Sequence, residues 1–346
     1  SVLKEWKKRM GAKAGGVVMM DIHNGEIIAL ASSPGFDANK ERDKLVRNKD
    51  TSIYFNRVVQ GVYEMGSTFK IFSVAQGIEK DLFTLDTQID TKAFRINSRK
   101  IEDKYKFNNK SSIYEIIVRS SNVGSARLAL MVGEKGLKEI FSILGLLEPV
   151  GLELREANLT RPIVPKNWRD ITLATVSYGY GVSVSLLHLA KAYAILGNGG
   201  YYVAPTILKK NHDGKRGAQV LKKTTSDEIL KLLEAVVTDQ RGTARILESK
   251  YYRIGGKTGT AEKVSPNRRG YQKDKVVANF VGLFPLQEPR FVIAAFLDEP
   301  ENNLLQEPCR YASCTVVPMV KKLIERTGPL MNVTPDHQAS MFYRGL

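Results

Sequence analysis

Two apolar runs flank a polar turn in "GGVVMMDIHNGEIIALASSPGF", residues 15 to 36. The Asn24-Gly25 pair between them is the strongest short-range hairpin signal in the chain, because a type I′ turn needs positive φ at both central positions. The chain therefore opens on two strands. Residues 40 to 60 are polar and loop-like. Residues 67 to 80 carry apolar side chains at Phe69, Ile71, Phe72, Val74 and Ala75, a band broad enough for a largely buried helix. From about 78 to 110 the pattern is irregular and charged. Short helices are expected at 113 to 119 and 123 to 133, broken at "SSN", and another at about 135 to 144. "SLLHLAKAYAILGNGG" reads as a strong helix with a glycine stop, and residues 226 to 238 give one more.

The last third changes character. "RIGGKTGTAEK", "KVVANFVGLFP" and "RFVIAAFLDEP" are three strand-like segments at hairpin spacing, followed by a helix at about 315 to 326. Residues 264 to 275 form a polar, basic loop in this reading, and 205 to 223 and the tail after 328 resemble linkers. Strands at both ends and helices between them predict an α/β fold of the α+β type. Its central antiparallel sheet would be built from both chain ends and flanked by helices, with a helical subdomain inserted.

Composition narrows this picture in a few places. The chain has 346 residues, 43% of them hydrophobic, enough to bury a sizeable core. No stretch approaches the roughly 18 apolar residues of a membrane span. Residues 1 to 14 are basic and amphipathic, without the apolar core of a signal peptide. The net charge is +16, from 52 Lys and Arg against 36 Asp and Glu. The basic residues are mostly interspersed with acidic ones, and no stripe of Arg and aromatics suggests a stacking platform for bases. A solvated basic surface and a polyanionic partner both fit. Cys309 and Cys314 are compatible with a local disulfide or with two free thiols. They lack the further Cys or His that zinc would need, and the four histidines sit in no Ser-His-Asp or metal-ligand pattern.

Candidate chemistry starts at "GSTFK". Ser67 at the mouth of an apolar helix reads first as an N-cap and Lys70 as a solvated side chain. Ser-x-x-Lys is a cheap pattern, and Ser1 to Lys4 repeats it. Two further motifs change its weight: "SSN" at Ser120 to Asn122, on a helix break, and "KTGT" at Lys257 to Thr260, opening a strand. Their look-alikes, Ser265 in "SPN" and Arg326 in "RTG", sit in a polar loop and a helix end. A phosphate loop is excluded, since it would need glycine where Tyr251 stands. "YGYG" at 178 to 181 is too weak to assign alone.

The three motifs fit one task. A serine hydroxyl needs a neighbour to take its proton. On a helix, residue i+3 lies roughly 5–6 Å away on the same face, so Lys70 can reach Ser67. Lysine is a base at neutral pH only if burial or a second cation lowers its pKa, and Lys257 could be that cation. A drop of about 3 units corresponds to roughly 4 kcal/mol. Ser120 and Asn122 would supply hydrogen bonds to substrate and a proton path. The backbone N–H groups of Ser67 and Thr260 could form an oxyanion hole, each donor worth about 3–4 kcal/mol.

Ser-x-x-Lys, a Ser-x-Asn and Lys-Thr-Gly in this order resemble the serine β-lactamases and penicillin-binding proteins. "YEMGSTFKIFSVA", "RSSNVGSARLA", "SYGYGVSVSLLHLAKAYAILGNGGYYVAP" and "GGKTGTAEK…VVANFVGLFP" resemble the transpeptidase domain of a class B penicillin-binding protein. The likeness runs from about Gly15 to Pro335 and is strongest to the septal, cell-division type, penicillin-binding protein 3, with the elongation type the close competitor. The resemblance implies a single transpeptidase domain over 1 to 346. Its sheet subdomain would cover about 15 to 65 and 200 to 335, and its mostly helical subdomain about 66 to 199. A membrane anchor and pedestal domain would precede Ser1 in the parent, with the catalytic domain periplasmic and the protein held in the inner membrane.

The resemblance also implies roles. Ser67 would be acylated, with Lys70 its base and Ser120, Asn122 and Lys257 catalytic. Thr258, Gly259 and Thr260 would bind substrate. The expected substrate is the D-Ala-D-Ala end of a peptidoglycan stem peptide, with β-lactams trapping Ser67. A glycosyltransferase and division proteins would associate through other parts of the parent. Neither a cofactor, a metal nor nucleic acid is expected. The middle residue of the second motif is Ser121, not Asp, which favours a transpeptidase over a class A β-lactamase. A penicillin-sensing receptor domain shares the nucleophile and lysine. A non-catalytic basic module binding cell wall or nucleic acid would leave the motifs as coincidence. "RYASCTVVP" replaces a Gly/Ala-rich family stretch, and the cysteines have no family role.

Overall fold

The computed structural model describes residues 1–36, 51–209, 216–265 and 270–336. Strands β1 (Ala14–Asp21) and β2 (Ile27–Ser33) come from the start of the chain. Strands β7 (Gly255–Val264), β8 (Tyr271–Phe284) and β9 (Phe291–Asp298) come from its end. They form one sheet in the order β2-β1-β9-β8-β7, with every neighbour antiparallel. The two chain ends therefore meet at the β1–β9 pair, and β7 is left at an edge.

Both faces of this sheet are covered, which is why its inner strands read as nearly continuous apolar runs. Helix α1 (Val2–Arg9) buries Val2, Leu3 and Trp6, and the Trp6 indole donates to Thr315 O at 2.7 Å. Leu3 packs where Gly15 leaves room on one sheet face. The opposite face carries Leu283, which meets Gly197 at the end of a fully buried helix, Leu186–Gly197. The register places Gly15 and Leu283 on opposite faces, because Gly15 pairs with Leu297, Leu297 with Ala278, and Leu283 stands five residues further.

Between the two groups of strands lies the helical part. Helix α2 (Lys70–Glu79) is buried over most of its length. It packs against α3 (Ile113–Val118) and α4 (Asn122–Ile143). Phe69, Phe72, Phe141 and Tyr193 interlock edge-to-face, with ring centres 5.0–5.9 Å apart. Such pairs contribute about 0.5–1.5 kcal/mol each beyond burial. Two small ribbons, β3 (Gln88–Asp90) with β6 (Lys110–Ser112) and β4 (Phe94–Ile96) with β5 (Arg99–Ile101), fill the irregular segment.

The structure departs from the sequence reading in four places. The turn at Asn24-Gly25 is not type I′: Gly25 has φ of 79°, whereas Asn24 is absent from the positive-φ residues. Asp21 Oδ1 instead accepts the His23 and Asn24 N–H groups, and a longer side-chain-built turn results. The segment from 264 to 275 is not all loop, since β7 runs to Val264 and β8 begins at Tyr271. Residues 266–269, and 37–50 within the polar segment, lie outside the described residues. Helices Val2–Arg9, Arg155–Leu159 and Asp170–Ser177 were not expected. The first is short and basic, and packing of Trp6 rather than propensity fixes it. The break between residues 133 and 135 is a non-helical Gly133, with φ 73° and ψ 175°, inside Asn122–Ile143.

Candidate active site

Ser67 lies in a 3-10 turn, Gly66–Phe69, that leads into α2. Its side chain caps neither element, so the capping reading does not hold; it opens into a cavity instead. Gly66 has φ of 59° and Gly179 of 82°. A Cβ on Gly179 would stand 2.1 Å from Gly66 O, and one on Gly259 would stand 2.2 Å from Met65 O. Three backbones thus stack without side chains between them: the serine turn, the "YGYG" segment and strand β7. Tyr193 Oη donates to Thr68 O at 2.8 Å and Asn279 Nδ2 to Met65 O at 3.0 Å, fixing the turn from behind.

Lys70 and Lys257 are both fully buried and meet on one residue. Lys70 Nζ donates to Ser120 O at 2.6 Å and to Ser120 Oγ at 3.1 Å. Lys257 Nζ donates to the same Oγ at 3.1 Å and to Thr258 O at 3.3 Å. Among the described residues no hydrogen bond joins Lys70 to Ser67, so the lysine rests on Ser120 rather than on the serine one helical turn away. Burial, reinforced by the Lys257 charge, holds Lys70 well below the ordinary lysine range, against a weaker pull from Asp103. Burial alone brings Lys257 down to about 7. Two ammonium groups sharing one hydroxyl repel each other, and a neutral Lys70 is the favoured state.

Ser120 owes its position to a helix end. It has φ of 63°, and its N–H donates to Ile117 O while Ser121 N–H donates to Ile116 O. This is the Schellman closure of α3, with serine where glycine usually stands. Ser121 then caps α4 by accepting from Gly124 N at 2.9 Å. Asp103 completes the junction. One oxygen accepts from Ser121 Oγ at 2.6 Å; the other accepts from Asn122 N at 2.5 Å and Val123 N at 3.2 Å. Asn122 is the first residue of α4 and lines the cavity.

On the other wall stands β7. Lys257 and Gly259 pair with Val281 and Asn279 and face the helical side; Thr258 and Thr260 face the other way. Glu262 N–H leaves the sheet to meet the Tyr180 hydroxyl at 3.0 Å. Two residues back along the strand, Thr260 N–H projects from the same free edge. Thr258 Oγ1 donates to Thr243 Oγ1 at 2.8 Å, and Thr260 Oγ1 accepts from Ala312 N at 3.1 Å.

Ser67, Ser120, Asn122, Thr258 and Thr260 thus line one cavity of about 240 Å³, with Lys70 and Lys257 beneath it and Gly259 at its back. Sequence reasoning missed Asp103, Thr243 and a roof made by Tyr311, Ala312 and Ser313. The roof lies between Cys309 and Cys314, which form a disulfide. None of these residues belongs to a short motif. Gly179 and Gly181, both at positive φ, lie in the "YGYG" that looked too weak to assign.

The Penicillin binding protein transpeptidase domain family matches residues 15–324 of this chain. A probable peptidoglycan D,D-transpeptidase FtsI of Caulobacter vibrioides is 35% identical over 324 residues, covering 91% of this chain and 54% of that protein. The peptidoglycan D,D-transpeptidase FtsI of Escherichia coli K12 is 28% identical, covering 94% of this chain and 53% of that protein. The chain therefore spans about half the length of the curated relatives it matches. Among solved structures, the transpeptidase domain of penicillin-binding protein 3 from Burkholderia pseudomallei superposes with a TM-score of 0.83 at 31% identity. That match covers 97% of this chain and 93% of the other. A peptidoglycan glycosyltransferase from Burkholderia ambifaria follows with a TM-score of 0.81 at 29% identity, covering 97% and 95%.

Proposed function

The chain belongs to the penicillin-binding protein transpeptidase domain family, and from that premise we propose that it is a serine D,D-transpeptidase that cross-links peptidoglycan stem peptides during septal wall synthesis. The observation that carries the reading is the convergence of Lys70 and Lys257 on Ser120 beside an open Ser67.

In this reaction Ser67 Oγ attacks the carbonyl carbon of the penultimate D-Ala, and its proton passes to the neutral Lys70 amine. The backbone N–H groups of Ser67 and Thr260 receive the developing oxyanion. The C–N bond to the terminal D-Ala then breaks, and the proton returns to that leaving amine. Ser120, hydrogen-bonded to both lysines, is the proton path. Lys257, Thr258, Gly259 and Thr260 receive the terminal carboxylate along the strand edge, and Asn122 orients the peptide. An amine of a neighbouring stem next attacks the ester carbonyl; its C–N bond forms, the ester breaks and Ser67 recovers its proton. β-Lactams take the first half of this path and remain on Ser67.

A hydrolase reading needs a base that activates water on the acyl-enzyme. Among the described residues, Asp103 is the carboxylate that lines the cavity, and both its oxygens are taken up by Ser121, Asn122 and Val123. That supports transpeptidation over β-lactam hydrolysis. The parent protein is read as anchored in the inner membrane with this domain outside the cytoplasm; no described helix is long and apolar enough to cross a membrane. A glycosyltransferase and division proteins are its partners through other parts of the parent, and nucleic acid is not a ligand.

A fluorescent penicillin should label the wild-type chain and persist for many minutes. Ser67→Ala should abolish labelling with an unchanged circular dichroism spectrum. Labelling that survives the substitution removes Ser67 as the nucleophile, and rapid loss of label from the wild type favours a hydrolase.

A further inference from the structure

The mouth of the Ser67 cavity carries two cations. Arg119 and Lys104 both line it. Among the described residues neither forms an ion pair. Their contacts are rings and neutral oxygens instead. The Arg119 guanidinium stands 4.1 Å from the centre of the Phe107 ring and donates to Lys106 O at 2.7 Å. The Lys104 ammonium stands 3.8 Å from the centre of the Tyr311 ring and 5.3 Å from that of Tyr105, and it donates to the Tyr311 hydroxyl. Stacking does not by itself leave a cation unpaired here. Arg127 lies 4.3 Å from the Phe94 ring and still pairs with Asp90 at 3.1 Å.

Two features make the pair at the mouth suited to an anion. First, the carboxylate of Asp103 on the cavity wall is turned to Ser121 and to the start of α4, and among the described residues it forms no ion pair with either cation. Second, Arg119 is held by its ring and one carbonyl, which leaves most of its five N–H donors for a ligand. A guanidinium so placed matches the two oxygens of a carboxylate.

Position decides which carboxylate. Arg119 immediately precedes Ser120, on the wall opposite β7. The strand takes the terminal carboxylate in the reading above, so the second anion belongs to the part of the donor on the other side of the scissile bond. Resting on that reading, we propose that Arg119 and Lys104 form an anion subsite that binds a carboxylate on the acyl donor, upstream of the carbonyl attacked by Ser67.

Benzylpenicillin and carbenicillin test this, because they share the reactive nucleus and differ by one carboxylate on the acyl side chain. The second-order acylation constants of both are measured on the wild type, Arg119→Gln, Arg119→Lys and Lys104→Gln. The carbenicillin-to-benzylpenicillin ratio is expected to fall about five- to tenfold in Arg119→Gln, about two- to fivefold in Lys104→Gln, and to recover in part in Arg119→Lys. Lys4→Gln, which removes the same charge from an exposed position on α1, should leave the ratio within about twofold, as screening of distant charges requires. A ratio unchanged in Arg119→Gln and Lys104→Gln overturns the subsite, and so does an equal fall in Lys4→Gln. Lys104 lies on an exposed loop, so its variant keeps the test open if Arg119→Gln fails to fold. If neither penicillin acylates the wild type, the transpeptidase reading itself fails; if both do and the ratio stays fixed, only the subsite does.

Discussion

At the scale of single residues, the site is a lysine pair kept out of water at a cost to the fold. Ordinary lysine titrates at 10.5, and Lys257 is pulled down to about 7 in the folded chain. Between about pH 7 and 10 the unfolded chain binds a proton that the folded chain lacks, so stability rises with pH through that window. Below pH 7 the full penalty applies, on the order of 4–5 kcal/mol. Lys257→Met removes it. The thermal midpoint of this variant should exceed that of the wild type at pH 6, and the difference should close toward pH 10. Penicillin acylation should drop on the order of 100-fold, the scale of losing one partner of a buried, hydrogen-bonded charge pair, because the variant removes the cation proposed to receive the carboxylate. Calorimetry at three pH values with parallel labelling measures both; equal midpoints at pH 6 would mean that the buried ammonium costs nothing. In the wild type, acylation should fall as pH is lowered through the Lys70 titration if the neutral amine is the base, as proposed above. With Lys257 gone this acid limb should move to higher pH, since a like charge that disfavours protonated Lys70 is lost.

At the scale of elements, the joint between α3 and α4 holds the second motif, and it shows what sequence reading reaches. The break at "SSN" was legible because two apolar helical patterns stop on either side of it. The identity of Ser120 as a left-handed helix terminator was not, because glycine is the usual signal there. Asp103 left no trace either. It comes from a segment with no periodicity and acts across 18 to 20 residues. The first glycine of "YGYG" was similarly opaque: Gly179 lies against the backbone of Gly66, more than 110 residues away, and spacing along the chain carries no sign of it. Asp103→Ala should leave the Asn122 and Val123 N–H groups at the start of α4 unmatched while Ser121 still caps Gly124, costing about 1–3 kcal/mol. Because Ser120 and Asn122 then lose their mounting, acylation should slow about tenfold or more while Ser67 remains the labelled residue. Asp103→Asn keeps one acceptor and should recover part of the loss. Acylation at the wild-type rate in Asp103→Ala would separate the cap from the site. Denaturant unfolding and a labelling time course provide the two measurements.

At the scale of the molecule, the sheet from both chain ends was legible because its strands carry apolar runs bounded by turns. The meeting of the motifs was legible only through their chemistry. What closes the site from above was not: the sequence shows two cysteines five residues apart, and spacing alone left both the thiol and the disulfide reading open. In the folded chain the bridge spans Tyr311, Ala312 and Ser313, the roof of the Ser67 cavity. Ala312 N–H holds the Thr260 hydroxyl, and Tyr311 meets Lys104 across the opening. Closing so small a loop removes unfolded-state entropy equivalent to ~2 kcal/mol. These are the two cysteines of the chain, so dithiothreitol has a single bond to reduce. Reduction should lower the thermal midpoint of the wild type and leave a Cys309→Ser, Cys314→Ser double variant unaffected. The double variant should also acylate more slowly with benzylpenicillin, since a freed roof no longer fixes Thr260, whose N–H is the proposed oxyanion donor. Equal midpoints for the oxidised and reduced wild type would mean that Asn302, which donates to Cys314 O at 3.0 Å and pairs backbone to backbone with Cys309, already holds the roof without the bond.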